Sequence, residues 1–85
     1  MGFTLSMRVY TQIKMARAAL GWSISELADE ASVSVSTVKR IETSEGFEKA
    51  TKANLKLIEL TLEKAGIEFI GAVDEGPGVR LWKKP

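Results

Sequence analysis

The chain has no cysteine and no histidine in 85 residues. Without cysteine, disulfides and thiolate zinc sites are excluded, so a fold of this size must hold together by packing. Without histidine, the commonest general base and the commonest metal ligand are missing, and a Ser-His-Asp triad cannot be built. Long apolar runs are also missing: none approaches the ~20 residues that a membrane helix requires. Met1-Gly2-Phe3-Thr4 lacks the basic stretch and apolar core of a secretion signal. Gly2 with Ser6 meets a loose acylation pattern that nothing else in the chain supports. These absences predict a cytoplasmic protein with no membrane partner, no metal, no cofactor and no enzymatic activity.

What is present has the balance of a globular domain, with 45% hydrophobic and 27% charged residues. The length allows one domain and one core. Net charge is only +1, but the charges are segregated. Residues 1–17 carry Arg8, Lys14 and Arg17 and no acid, and the tail carries Arg80, Lys83 and Lys84. Ser23 to Ala31 carries Glu26, Asp29 and Glu30 and no base. That acidic trio has no histidine or cysteine beside it and reads as a solvated helix face. Nucleic-acid binding needs a local basic surface, and a near-neutral total does not argue against it.

Periodicity and caps divide the chain. Val9, Ile13, Ala16 and Leu20 form one stripe of a helix predicted from about Ser6 to Leu20, with Gly21 as its stop. Ser23-Ile24-Ser25-Glu26 is a capping-box pattern opening a short second helix to about Ala31. Ser34 is a good N-cap for a third helix through about Thr43, with Val38 and Ile41 turned inward. Thr43 to Ala50 reads as a loop, and Thr51 caps a further helix that ends at Ala65 before Gly66. That helix is apolar on two sides, Leu55/Ile58/Leu62 and Ala53/Leu57/Leu60, so two layers are expected to sandwich it. Ile67 to Val73 and Val79 to Lys83 are β-prone around the turn chemistry of Asp74-Glu75-Gly76-Pro77-Gly78. The predicted hairpin is expected to cover the second side of that helix, to pair with another copy, or both.

The informative stretch is Leu20 to Glu42. Two short helices, each with its own serine cap and only Ser32-Val33-Ser34 between them, predict a helix-turn-helix. Leu27, Ala28 and Ala31 can pack on Val33, Val38 and Ile41, leaving the start of the later helix free to enter a groove. Leu20-Gly21-Trp22-Ser23, Leu27-Ala28, Val33-Ser34, Thr37-Val38 and Arg40-Ile41-Glu42 resemble the phage-repressor-like (Xre-type) helix-turn-helix family over about residues 9–65. The tail resembles the ending of many short bacterial members.

The resemblance implies a mainly α, four- to five-helix repressor-like domain over residues 1–66, with a C-terminal β-hairpin extension over 67–85. It implies double-stranded DNA as the partner and a transcriptional regulator, a repressor, as the role. Val35, Ser36, Lys39 and Arg40 match positions that touch base edges; Ser23, Ser25, Ser34 and Thr37 are the phosphate-side candidates. Arg17 and Glu42 match a structural ion pair. Two positions depart from the family: Ile24 stands where glutamine is usual, and Ser32 where glycine is common.

Other readings stay open. Val35 can meet a thymine methyl or staple the helix pair; Ser34 can be only a cap; Lys39 and Arg40 can be a solvated face. Trp22 can belong to the core, and Trp82 to a sheet or dimer seam. A homodimer is expected, because one short reading helix covers few base pairs, with Phe69, Ile70, Val79, Leu81 and Trp82 as its seam. The alternative is an antitoxin-like module whose hairpin binds a partner protein.

Overall fold

The computed structural model describes residues 7–82. Gly2, Ser6, Lys83 and Lys84, which entered the sequence reading, lie outside them. The order is α1 (Thr11–Leu20), α2 (Ile24–Ala31), α3 (Val35–Ile41), α4 (Ser44–Lys49), α5 (Lys52–Lys64), β1 (Ile67–Ile70) and β2 (Gly78–Leu81).

Four of the five helices begin at a hydroxyl that accepts an amide proton from their first turn: Ser23 from Glu26, Ser34 from Thr37, Thr43 from Gly46 and Thr51 from Asn54. Each such cap contributes about 1 kcal/mol, which matters for helices this short. Gly21 ends α1 with φ +72°, where a side chain would be strained.

Three expectations are corrected. The first helix starts at Thr11 and not near Ser6. Gln12 Oε1 accepts from the amides of Arg8 and Val9, holding the chain before α1 in a turn. Val9 therefore lies outside the helical stripe that it matches in sequence. Thr43 to Ala50 is not a loop, since Ser44–Lys49 is helical. It buries no residue completely and sets only Phe47 against the core, so it lacks the apolar period that reveals a helix. The strands are shorter than predicted, the turn beginning at Gly71, and the hairpin does not cover Ala53, Leu57 and Leu60.

The hairpin instead closes the main core. β2 packs on α1 and β1 on α5. The antiparallel register pairs Ile67 with Leu81 and Phe69 with Val79, so all four share one face by the two-residue period. Ile67 and Phe69 join Ile13, Leu27, Val38, Ile41, Ile58 and Leu62 in a single buried cluster. Burying two such side chains contributes roughly 1.5–3 kcal/mol each, enough to anchor a hairpin that is marginal alone. Gln12 reinforces the docking: its Nε2 donates to the carbonyls of Ile70 at 3.2 Å and Gly78 at 2.9 Å. On the opposite face, Trp82 and Arg80 both donate to the Glu68 carboxylate, at 2.5 and 2.9 Å, which lowers its pKa from the ordinary glutamate range.

Candidate nucleic-acid interface

α2 and α3 are joined by Ser32, Val33 and Ser34 alone. Ser32 takes a left-handed conformation, φ 59° and ψ 41°, which turns the chain sharply enough for Leu27, Ala28 and Ala31 to meet Val38 and Ile41 in the core. Alanine at 28 and 31 lets two short helices approach closely. The pair is locked from behind by Arg17 of α1. Its Nε and Nη2 donate to the two Glu42 oxygens at 2.6 and 3.0 Å, and its Nη1 donates to the Trp22 carbonyl at 3.0 Å. The hydrogen bonds that Arg17 donates to Glu42 raise its pKa, outweighing the opposing effect of burial.

With Val38 and Ile41 turned inward, the 100° step per residue sends Ser36, Lys39 and Arg40 to the opposite side and Val35 to the flank, and all four are exposed. Lys39 and Arg40 have no hydrogen-bond or ion-pair partner among the described residues, so their charge is available to a ligand. Arg40 is fixed at its backbone: its carbonyl accepts from the Thr43 hydroxyl at 2.7 Å, and the Thr43 hydroxyl oxygen in turn accepts from the Gly46 amide at 3.0 Å.

The four phosphate-side candidates are placed differently from one another. Ser34 and Thr37 hydroxyls bond each other at 2.8 Å at the start of α3. Ser25 is exposed on α2. Ser23 is engaged in its capping box, where Glu26 Oε1 takes its amide at 2.7 Å and its Oγ takes the Glu26 amide at 3.0 Å. A carboxylate thus already sits at the start of α2, where an anion would otherwise be favoured. Ile24 is half-buried against the core.

One part of this surface was not read from the sequence. A groove of about 380 Å³ beside α3 is lined by Thr37, Arg40, Thr43, Lys49, Thr51 and Asn54, among others. It exists because α4, which carries no apolar period in the sequence, folds back on α3. The only signal was Thr43 three residues before Gly46, a cap without an apolar period. Among the described residues no cluster could hold a metal ion, and no helix is long and apolar enough to cross a membrane.

A rigid helix pair, with an exposed, basic second helix backed by a core, defines a DNA-binding helix-turn-helix. Residues 13–65 match the family described as Helix-turn-helix, and the chain belongs to this phage-repressor-like (Xre-type) family. The family is one of DNA-binding regulators and not of enzymes. No curated protein and no solved structure matches the chain.

Proposed function

We propose that the chain is a sequence-specific regulator that sets α3 into the major groove of duplex DNA and represses by occupying its site. The observation that carries this is the state of Lys39 and Arg40: exposed, unpartnered, and borne on a helix whose other face is held in the core. Lysine and arginine read guanine edges, while the hydroxyls of Ser34 and Thr37 and the polar groove beside Arg40 suit the sugar-phosphate backbone. A seven-residue reading helix spans few base pairs, so useful specificity calls for two copies on a twofold site.

Selection from a random duplex library tests this reading. The wild-type chain is expected to enrich a consensus of two related half-sites about 10 base pairs apart. Arg40→Ala should weaken that consensus at least about tenfold, from the 1–3 kcal/mol of a bidentate guanine contact, with an unchanged melting temperature. Unchanged affinity would show that Arg40 does not read DNA.

A second reading, an antitoxin-like module that takes a partner protein on its hairpin, is favoured by Trp82. It is exposed on the outer face, with the Arg80 guanidinium 5.5 Å from its ring centroid. Of the hairpin residues considered for a seam, Phe69 is buried in the chain's own core, Val79 and Leu81 pack against it, and Trp82 is the exposed one. Trp82→Ala separates the readings, since it should leave DNA binding intact and abolish a stoichiometric protein complex.

A further inference from the structure

A separate concavity of about 320 Å³ opens between the corner before α2 and the ends of α2 and α5. Trp22, Glu30, Thr61, Lys64 and Ala65 line it, and none of them belongs to α3 or to the groove beside Arg40. Trp22 is half-buried and packs against the core. Its backbone is held at both ends by Arg17: the amide donates to the Arg17 carbonyl at 2.9 Å, and the carbonyl accepts from Arg17 Nη1 at 3.0 Å. The tryptophan is thus a fixed wall. Glu30 and Lys64 are exposed, carry opposite charges and line the same cavity, yet they do not pair. Neither has a hydrogen-bond or ion-pair partner among the described residues.

We infer that this cavity binds a small zwitterion, a free α-amino acid with an apolar side chain. The ammonium belongs beside Glu30. α2 ends there with Asp29 and Glu30 and no base in its last turn, so carboxylates stand at the negative end of a helix. A cation relieves that field, and the Trp22 ring attracts it further. The Thr61 hydroxyl gives its hydrogen to the Leu57 carbonyl at 2.7 Å, which leaves its oxygen as an acceptor. Lys64, in the last turn of α5, supplies the counter-charge for the ligand carboxylate. A simple anion would meet Glu30 and the end of α2. A metal ion would find one carboxylate and an opposing lysine. A molecule with both charges satisfies both side chains. Ligand pockets span about 300–1,000 Å³, so this one, at the lower limit, admits a single amino acid and not a nucleotide. The apolar side chain then lies against Trp22 and Ala65.

An open site with exposed charges gives a dissociation constant on the order of 1 mM. Leucine is the probe, titrated without DNA into the isotope-labelled full chain and followed by nuclear magnetic resonance. Saturable shifts are expected at the Trp22 indole and at the amides of Glu30, Thr61 and Ala65, with Trp82 unmoved. Isocaproate lacks the ammonium and isopentylamine lacks the carboxylate, and each should bind at least about tenfold more weakly. Glu30→Gln and Lys64→Gln change exposed side chains that hold nothing in the fold, and each should weaken leucine binding by a similar factor. No saturable shift at roughly twenty times the expected dissociation constant, shifts centred on Trp82, or variants that bind like wild type overturn the site. Isopentylamine binding as tightly as leucine overturns the zwitterion, since Lys64 would then hold no carboxylate.

Discussion

Arg17 reaches across from the first helix to clasp Glu42 with two nitrogens and the Trp22 carbonyl with the third. Glu42 is 5% exposed, and one side chain thus ties together α1, the corner before α2 and the end of α3. Removing either member leaves the other charge partly desolvated. Glu42→Ala is expected to destabilise the fold by about 3 kcal/mol, because the stranded guanidinium keeps its burial and loses its partner. Urea unfolding measures this. A variant as stable as wild type would mean that the pair is hydrated enough to be dispensable.

Gln12 does for the hairpin what Arg17 does for the helix pair. Its amide is fully buried, and all four of its hydrogen bonds go to backbone: two accepted before α1, two donated to the strand carbonyls. Gln12→Ala should cost about 2–3 kcal/mol by leaving those groups without partners. Gln12→Glu should be at least as harmful, since a carboxylate would face two carbonyl oxygens. Amide hydrogen exchange would show whether the hairpin opens before the helices do. Equal protection of β1, β2 and α2 in both variants would mean that apolar burial alone holds the hairpin.

These two clamps explain what could and could not be read from the sequence. α2 and α3 were legible because Ser23 and Ser34 announce their starts and Leu27, Ala28, Val38 and Ile41 repeat at helical spacing. The exposed set on α3 followed from the same period. Gln12 was not legible, since a buried polar residue breaks no pattern and announces no partner; its effect on Arg8 and Val9 misplaced the start of α1. α4 buries nothing completely, so its period carried no signal, and the groove that it builds beside Arg40 went unseen. Leu57 and Leu60 were rightly read as a second apolar side of α5. The hairpin does not cover them, because Ile67 and Phe69 are drawn instead into the core between α1, α2, α3 and the inner side of α5.

Gly46 links α4 to the reading helix. A Cβ there would lie 1.8 Å from the Arg40 carbonyl oxygen and 2.9 Å from Thr43 Oγ1, so α4 or the last turn of α3 must move. Gly46→Ala is therefore expected to cost about 1–3 kcal/mol, the range for overpacking a tight contact. It should also weaken DNA binding by more than the loss of folded protein explains, because the Arg40 backbone shifts. Glu45→Ala in the same helix breaks only an exposed ion pair with Lys49 and should change stability by less than about 1 kcal/mol. Thermal melts of both, with binding measured well below the transition, check the contrast. Equal behaviour of the two would show that α4 adjusts without disturbing α3.

Ser32 offers the converse case, a position where stability can rise without touching function. It is the one described non-glycine residue with positive φ, and left-handed backbone costs a side chain about 1–2 kcal/mol. Glycine removes that strain but adds freedom to the unfolded chain, worth about 0.4–1 kcal/mol in the opposite sense. The difference favours Ser32→Gly by roughly 0.5–1 kcal/mol, or a few degrees in melting temperature for a domain of this size. The Ser32 side chain makes no hydrogen bond among the described residues and lies on the turn, away from the outward arc of α3, so affinity for DNA should not change. Ser32→Val should move stability the other way, since a β-branched side chain tolerates this conformation least. Calorimetry on the three proteins orders them as glycine above serine above valine. A glycine variant no more stable than wild type would mean that the turn is relaxed as it stands, and that the strain assigned to Ser32 is absent.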